Sequence, residues 1–141
     1  MPELKTYDLF ISHAWRHNAE YYRLIDLLDA AKYFTWRNYS VPEHDPAVDP
    51  DSEAGRKVLT DALDRQIRQV NCVLVIAGMY DAAYKYWIQM EIELAQRYNK
   101  PIIGLIPKGA ERTPLVVQKA AKEMVGWTTD LIVRAVRKHS I

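Results

Sequence analysis

Among the residues able to do chemistry, Glu91 is the hardest to explain by packing. It lies in the stretch YKYWIQMEIELAQRY, residues 84–98. Wound at about 100° per residue, this stretch puts Gln89, Glu93, Gln96 and Arg97 on one side of a helix. Trp87, Ile88, Met90, Ile92, Leu94, Ala95 and Tyr98 fall on the other, with Glu91 near the middle of that apolar arc. A carboxylate so placed must find partners, take a raised pKa, or look into a cleft. Trp87 precedes it by one turn on the same face. An indole beside a partly desolvated carboxyl offers a flat surface for a heterocycle and an acid of elevated pKa. The competing reading is a structural one: a carboxyl neutralised by an arginine or a backbone group, beside a tryptophan that belongs to the core.

The other reactive residues form no such constellation. His13, His17, His44 and His139 are scattered, and only His13 and His17 stand at an i, i+4 spacing. That pair spans an expected loop-to-helix junction, so zinc fits poorly and no metal site is expected. There is no GxGxxG after the first expected strand, no GxxxxGK[ST] and no GxSxG, which removes the dinucleotide fingerprint, the P-loop and the nucleophile elbow. A phosphoaspartate receiver needs an acidic pair after its first strand and an aspartate ending its third. The corresponding residues here are Ser12-His13 and Ala77-Gly78. Cys72, the single cysteine, lies in an apolar run and reads as a small buried hydrophobe.

The elements that must position Glu91 follow from hydrophobic patterning. Residues 7–12 (YDLFIS), 72–78 (CVLVIAG) and 101–106 (PIIGLI) are nearly continuous apolar runs, as strands covered on both faces require. Residues 34–39 make a weaker strand and residues 124–127 a short last one. Helical spacing marks residues 18–32, 52–69, 81–98 and 129–138, with Asn18, Ser52 and Thr128 or Thr129 as N-caps. Asn99-Lys100-Pro101 ends the Glu91 helix. Alternating strands and helices predict an α/β, flavodoxin-like three-layer sandwich with a five-stranded parallel sheet in order 2-1-3-4-5. Trp36 and Trp127 read as core, and Arg65 and Arg68 as a solvated helix face.

In that topology ligands bind outside the carboxyl ends of strands 1 and 3, where strand order reverses. Ser12-His13-Ala14-Trp15, Gly78-Met79-Tyr80 and the start of the Glu91 helix converge there. The loop 41–51, VPEHDPAVDPD, carries three prolines and four acidic residues and opens on the same edge as a lid or contact surface.

Bulk properties narrow the function classes. The chain has 141 residues, 49% hydrophobic and 26% charged, which suits a single folded domain spanning residues 1–141. Nineteen basic residues against 18 acidic ones leave a net charge of +1, with no electrostatic footprint for nucleic acid. No stretch approaches the roughly 20 apolar residues of a membrane span, and the N-terminus lacks a signal pattern. A soluble, cytoplasmic protein is expected.

Two segments carry a family resemblance. YDLFISHAW resembles the first box of Toll/interleukin-1 receptor (TIR) domains: an acidic-aromatic start, an FIS-type strand and a polar turn. NCVLVIAGMYDAAYKYWIQMEIELA is similar to their stretch from third strand to third helix, where a tryptophan precedes a glutamate by four positions. The chain resembles most closely the compact bacterial TIR-like proteins, including those of Thoeris antiphage systems, from about residue 6 to residue 138. The resemblance implies an enzyme that cleaves the nicotinamide–ribose bond of NAD, its substrate rather than a bound cofactor. Glu91 would be the catalytic residue and Trp87 its neighbour. Ser12, His13 and Trp15 would form the nucleotide-contacting turn, with Tyr80 after the third strand. Asn38 and Ser40 would begin the segment corresponding to the BB loop and contact substrate. The product would be ADP-ribose or a cyclic or conjugated derivative, read by a downstream effector in antiphage defence. The resemblance also implies self-association through TIR surfaces, and a non-catalytic interaction module is the alternative. A deoxyribosyltransferase-like glycosidase, which also uses a glutamate, is a third possibility. The chain departs from the family pattern at His13-Ala14-Trp15, where many members have basic residues, at Ile88, where a cysteine is usual, and in its longer, more acidic second loop.

Overall fold

The three apolar runs form the centre of a sheet, as residues without a polar face must. They are β1 (Thr6–Ser12), β3 (Cys72–Ile76) and β4 (Ile102–Leu105); every residue of β3 and β4 is buried. The computed structural model describes residues 5–12, 18–40, 52–77, 82–109 and 113–141. β1 pairs with β3 in parallel, Ser12 opposite Val75, and β3 pairs with β4, Ile76 opposite Leu105. Two shorter strands close the edges: β2 (Thr35–Asn38) beside β1 and β5 (Glu123–Val125) beside β4. The sheet is parallel throughout, in the expected order β2-β1-β3-β4-β5.

Five helices connect the strands: α1 (Asn18–Asp29), α2 (Glu53–Ile67), α3 (Ala82–Arg97), α4 (Leu115–Ala120) and α5 (Thr129–His139). Side chains of a strand alternate between faces, so each central strand feeds two cores. Phe10, Val73, Val75 and Ala77 pack with Leu63 and Ile67 of α2, Trp87, Ile88 and Ile92 of α3 and Val117 of α4. Leu9, Ile11, Leu74 and Ile76 pack on the other side with Leu24 and Leu28 of α1 and Ile132 and Val136 of α5. Helices on both faces make the three-layer sandwich.

Helix ends follow local chemistry. The Ser52 hydroxyl accepts from Gly55 N at 2.9 Å, and Thr128 accepts from Leu131 N, so each caps its helix. Beyond α3, Asn99 takes the left-handed conformation at φ 56°. Asn99 N donates to Gln96 O and Lys100 N to Ala95 O, the paired bonds of a Schellman ending. Helix α1 stops at Asp29, short of the expected 32. Ala31 N bonds only three residues back to Leu28 O, and Tyr33 turns left-handed at φ 58° to start β2. At β4, a Cβ on Gly104 would overlap Met124 Sδ and lie 3.1 Å from Val117 Cγ1, so any larger residue there requires the Met124 side chain to shift.

The two tryptophans expected in the core are half-buried against it instead. Trp36 lies on an edge strand, and its Nε1 donates to Asp29 Oδ1 at 2.9 Å; Trp127 follows β5 at the other margin. Arg65 and Arg68 are exposed as expected, and Cys72 is fully buried.

Candidate functional site

Glu91 is 5% exposed. It occupies α3 between Ile88 and Ile92, both in the core beneath the helix, while Gln89, Glu93, Gln96 and Arg97 face solvent as the helical periodicity requires. The strand residue it meets is Ser12, last of β1 and 1% exposed. Alternation explains the meeting. Leu9 and Ile11 point toward α1 and α5, so Phe10 and Ser12 point toward α3. The only described buried polar or charged side chains in the protein are therefore brought together at the carboxyl end of β1, beside β3.

Burial pushes the Glu91 carboxyl up to about 8, and the Ser12 hydroxyl offsets part of that rise. The hydroxyl is close enough to act on the carboxyl but does not close a well-aligned bond. Ser12 Oγ and Glu91 Oε2 both lack a hydrogen-bond partner among the described residues. No described cation forms an ion pair with Glu91; the described pairs are Arg37–Asp8, Arg68–Asp64 and His139–Glu123. Of the alternatives open to a buried carboxyl, the chain takes the raised pKa. Such a group is a poor stabilising element and is characteristic of sites where charge is made or moved.

The remaining expected residues divide into three groups. Trp87 lies one turn before Glu91 but is only 4% exposed, packed in the core with Phe10, Val75 and Ala77. Its indole serves packing first, with little surface open to a heterocycle. Asn38 and Ser40 stand across β1 from Glu91, at the carboxyl end of β2. Their polar atoms hold the strand ends together: Ser40 Oγ accepts from Ile11 N at 3.1 Å, Asn38 Oδ1 from Ser40 N at 2.9 Å, and Asn38 Nδ2 donates to Tyr21 Oη at 2.8 Å. The serine hydroxyl thus takes the ladder position that β2, ending at Asn38, leaves open. His13, Trp15, Tyr80 and the loop 41–51 lie outside the described residues, as does His17.

Tyr98 belongs to the apolar arc of its helical stretch, and its ring packs against that core while its hydroxyl donates to Asp64 Oδ1 of α2 at 2.5 Å. The bidentate pair between Arg37 and Asp8, at 2.6 and 2.9 Å, was also not anticipated. Its signal was available only once β1 and β2 were paired, which sets Asp8 beside Arg37.

Three hollows among the described residues are lined by neither Glu91 nor Ser12. One, about 580 Å³, lies between α5 and the turn that follows α1 and is lined by Lys32, Val133, Arg134 and Arg137. A second, about 410 Å³, lies at the amino edge of β4 near Lys100 and His139, and a third, about 160 Å³, lies near Arg23 and Trp127. A cavity's volume does not by itself mark a functional site, and a buried carboxyl without an ion-pair partner among the described residues is a candidate on chemical grounds. No group of ligating side chains suited to a metal ion occurs among the described residues, and none of the described helices is long and apolar enough to cross a membrane.

Comparison with known proteins agrees with this architecture. A conserved protein from Enterococcus faecalis V583 superposes with a TM-score of 0.65 at 13% identity, covering 95% of this chain and 99% of that one. The CMP N-glycosidase BcmB from Clostridium botulinum superposes with a TM-score of 0.50 at 13% identity, covering 93% and 98%. At such identities the likeness is one of fold. No curated protein matches the sequence significantly. The sequence pattern of the Thoeris protein ThsB, TIR-like domain, matches residues 10–112, which include both Ser12 and Glu91. The chain belongs to the Thoeris ThsB TIR-like domain family.

Proposed function

We propose that the protein is an NAD-consuming enzyme that breaks the nicotinamide–ribose bond, with Glu91 as its catalytic residue, and that it acts in bacterial antiphage defence. The observation that carries this reading is the Glu91 carboxyl: buried, without an ion-pair partner among the described residues, and at the carboxyl edge between β1 and β3. Membership of the Thoeris ThsB TIR-like family supports the defence role. The fold is compatible with the bond type, since a protein of similar architecture is a CMP N-glycosidase.

The chemistry suits one carboxyl group. Nicotinamide in NAD is cationic and leaves as a neutral base, so no acid is needed to protonate it. Loss of nicotinamide leaves an oxocarbenium-like ribose, which a carboxylate stabilises by charge and by holding the ribose hydroxyls. Water then adds at the anomeric carbon and loses a proton, giving ADP-ribose. If an adenine nitrogen adds instead, a cyclic or conjugated ADP-ribose forms, an outcome favoured by exclusion of water. A carboxyl raised to about 8 is mostly protonated in the empty protein at neutral pH. The positive charge of bound NAD lowers that value, so ionisation accompanies substrate binding. Ser12, His13, Trp15, Asn38, Ser40, Tyr80 and Trp87 are assigned to substrate contact or support of the site. No resident cofactor or metal is required; NAD is the substrate, and self-association and a product-reading effector complete the proposed pathway.

The test is incubation of the purified protein with NAD, and separately with deoxynucleosides and CMP, with products identified by mass spectrometry. Nicotinamide with ADP-ribose or an isomer of its cyclic form supports the reading. Base release from deoxynucleosides or CMP alone would assign a nucleosidase. Absence of any release across dilute and self-associated protein would favour an interaction module.

A further inference from the structure

Ser12 presents a problem that substrate contact does not solve. It ends a buried strand at 1% exposure, yet its hydroxyl has no hydrogen-bond partner among the described residues. Burying a hydroxyl without a partner is costly, so a bare serine is a poor choice where alanine would pack equally well. Strand alternation turns Ser12 toward α3, where it acts on the carboxyl of Glu91, whose Oε2 is equally unpartnered among the described residues. Two orphaned groups, one able to donate and one able to accept, face each other in the same buried space.

We propose that Ser12 is a positioning residue for Glu91: its hydroxyl donates to the carboxylate, fixing the orientation in which that carboxylate meets the ribose. The inference rests on the reading of Glu91 as catalytic for its significance, but the contact itself does not depend on NAD. A carboxylate is acceptor-only and gains from a neighbouring hydroxyl more than the neutral acid does. Ser12 therefore favours ionisation, and the bond tightens as charge appears.

The surroundings leave this task to Ser12 among the described groups. On α2, Glu53, Arg56, Lys57, Asp61, Arg65 and Arg68 are exposed, and Asp64 is held by Tyr98, just past the end of α3. On α4 Lys119 is exposed, and the neighbouring strand β3 supplies only Val73, Val75 and then Ala77 to this face. The acidic residue of β1, Asp8, is paired with Arg37 at the opposite end of the strand. Tyr39, half-buried after β2, packs on the same core, with its backbone N bonded to Leu9 O.

The experiment measures the pH at which Glu91 ionises in the free protein. It is read from the difference in urea-unfolding free energy between Glu91 and Glu91→Gln proteins across pH, in the wild-type and Ser12→Ala backgrounds. Ser12→Ala removes one oxygen from a buried position and creates no steric conflict. It is expected to raise the ionisation midpoint by roughly one pH unit, lowering the ionised fraction at neutral pH about tenfold. Ser12→Thr, which keeps the hydroxyl, is expected to hold the midpoint near the wild-type value. An unchanged midpoint in Ser12→Ala, or a Ser12→Thr midpoint displaced as far as that of Ser12→Ala, would overturn the proposal. Nicotinamide release is scored separately. A protein that shows the shift but never releases nicotinamide retains the Ser12–Glu91 contact and loses the enzymatic reading.

Discussion

Replacing Glu91 by glutamine removes an ionisation while keeping the shape of the side chain, so its effect on stability should depend on pH in a calculable way. The folded-state carboxyl is raised from 4.5 to about 8 by burial, so between those values the folded protein holds a proton that the unfolded chain has released. Stability from this group is therefore intact below the unfolded value and is lost progressively as pH rises toward the folded one. Each unit of displacement corresponds to about 1.4 kcal/mol. The cost of Glu91 is then below about 1 kcal/mol near about pH 5 and on the order of 4 kcal/mol near about pH 8. Glutamine carries a constant desolvation cost over this range. Urea unfolding of both proteins at the two pH values cancels that constant and the unfolded-state differences they share. The stability of Glu91→Gln relative to wild type should rise by about 3 kcal/mol between about pH 5 and about pH 8. A relative stability that stays level across the window would mean that Glu91 ionises normally in the folded protein, and the argument from burial would fail.

The same displacement predicts that kcat/KM for nicotinamide release from NAD climbs with pH to a midpoint near about 8, because the ionised form of the free enzyme is the competent one; a flat profile would contradict it. Gly104→Ala should destabilise by about 1–3 kcal/mol, since the new methyl meets Met124 Sδ, and shortening Met124 to alanine should recover part of the loss in a double-mutant cycle. Asn99→Ala should cost about 1 kcal/mol in urea unfolding and Asn99→Gly should not, because only the alanine resists the left-handed turn after α3. Cys72, buried and pushed up to about 12, should not react with an aromatic disulfide in the native protein and should react once the chain is unfolded.

The sheet was legible wherever a strand is covered on both faces. β1, β3 and β4 announce themselves as apolar runs, and their alternation with helices implies the strand order. β2 is faint in sequence because it is an edge strand: TWRN leaves all but Trp36 exposed and depends on Asp8–Arg37 and Ser40–Ile11 contacts that only the fold creates. Trp36 and Trp127 were expected in the core because tryptophan is large and apolar. Their places at the sheet margins leave both only partly buried. The α1 boundary at Asp29 depends on the left-handed Tyr33, a residue type that gives no turn signal.

Glu91 was legible for a different reason, as a charge set against the period of its own helix. That it meets Ser12 was not, because the meeting requires both the facing of β1 and the height of α3 along it. Alternation from Phe10 gives the first; only the packed structure gives the second.

The central claim is that the buried carboxyl breaks a glycosidic bond, and its most direct test is nicotinamide release from NAD by wild-type and Glu91→Gln proteins compared at about pH 8. Release by the wild type that falls by at least about 100-fold in Glu91→Gln, with the variant folded and more stable than wild type, is the predicted result. Release continuing at the wild-type rate in the variant would contradict the account.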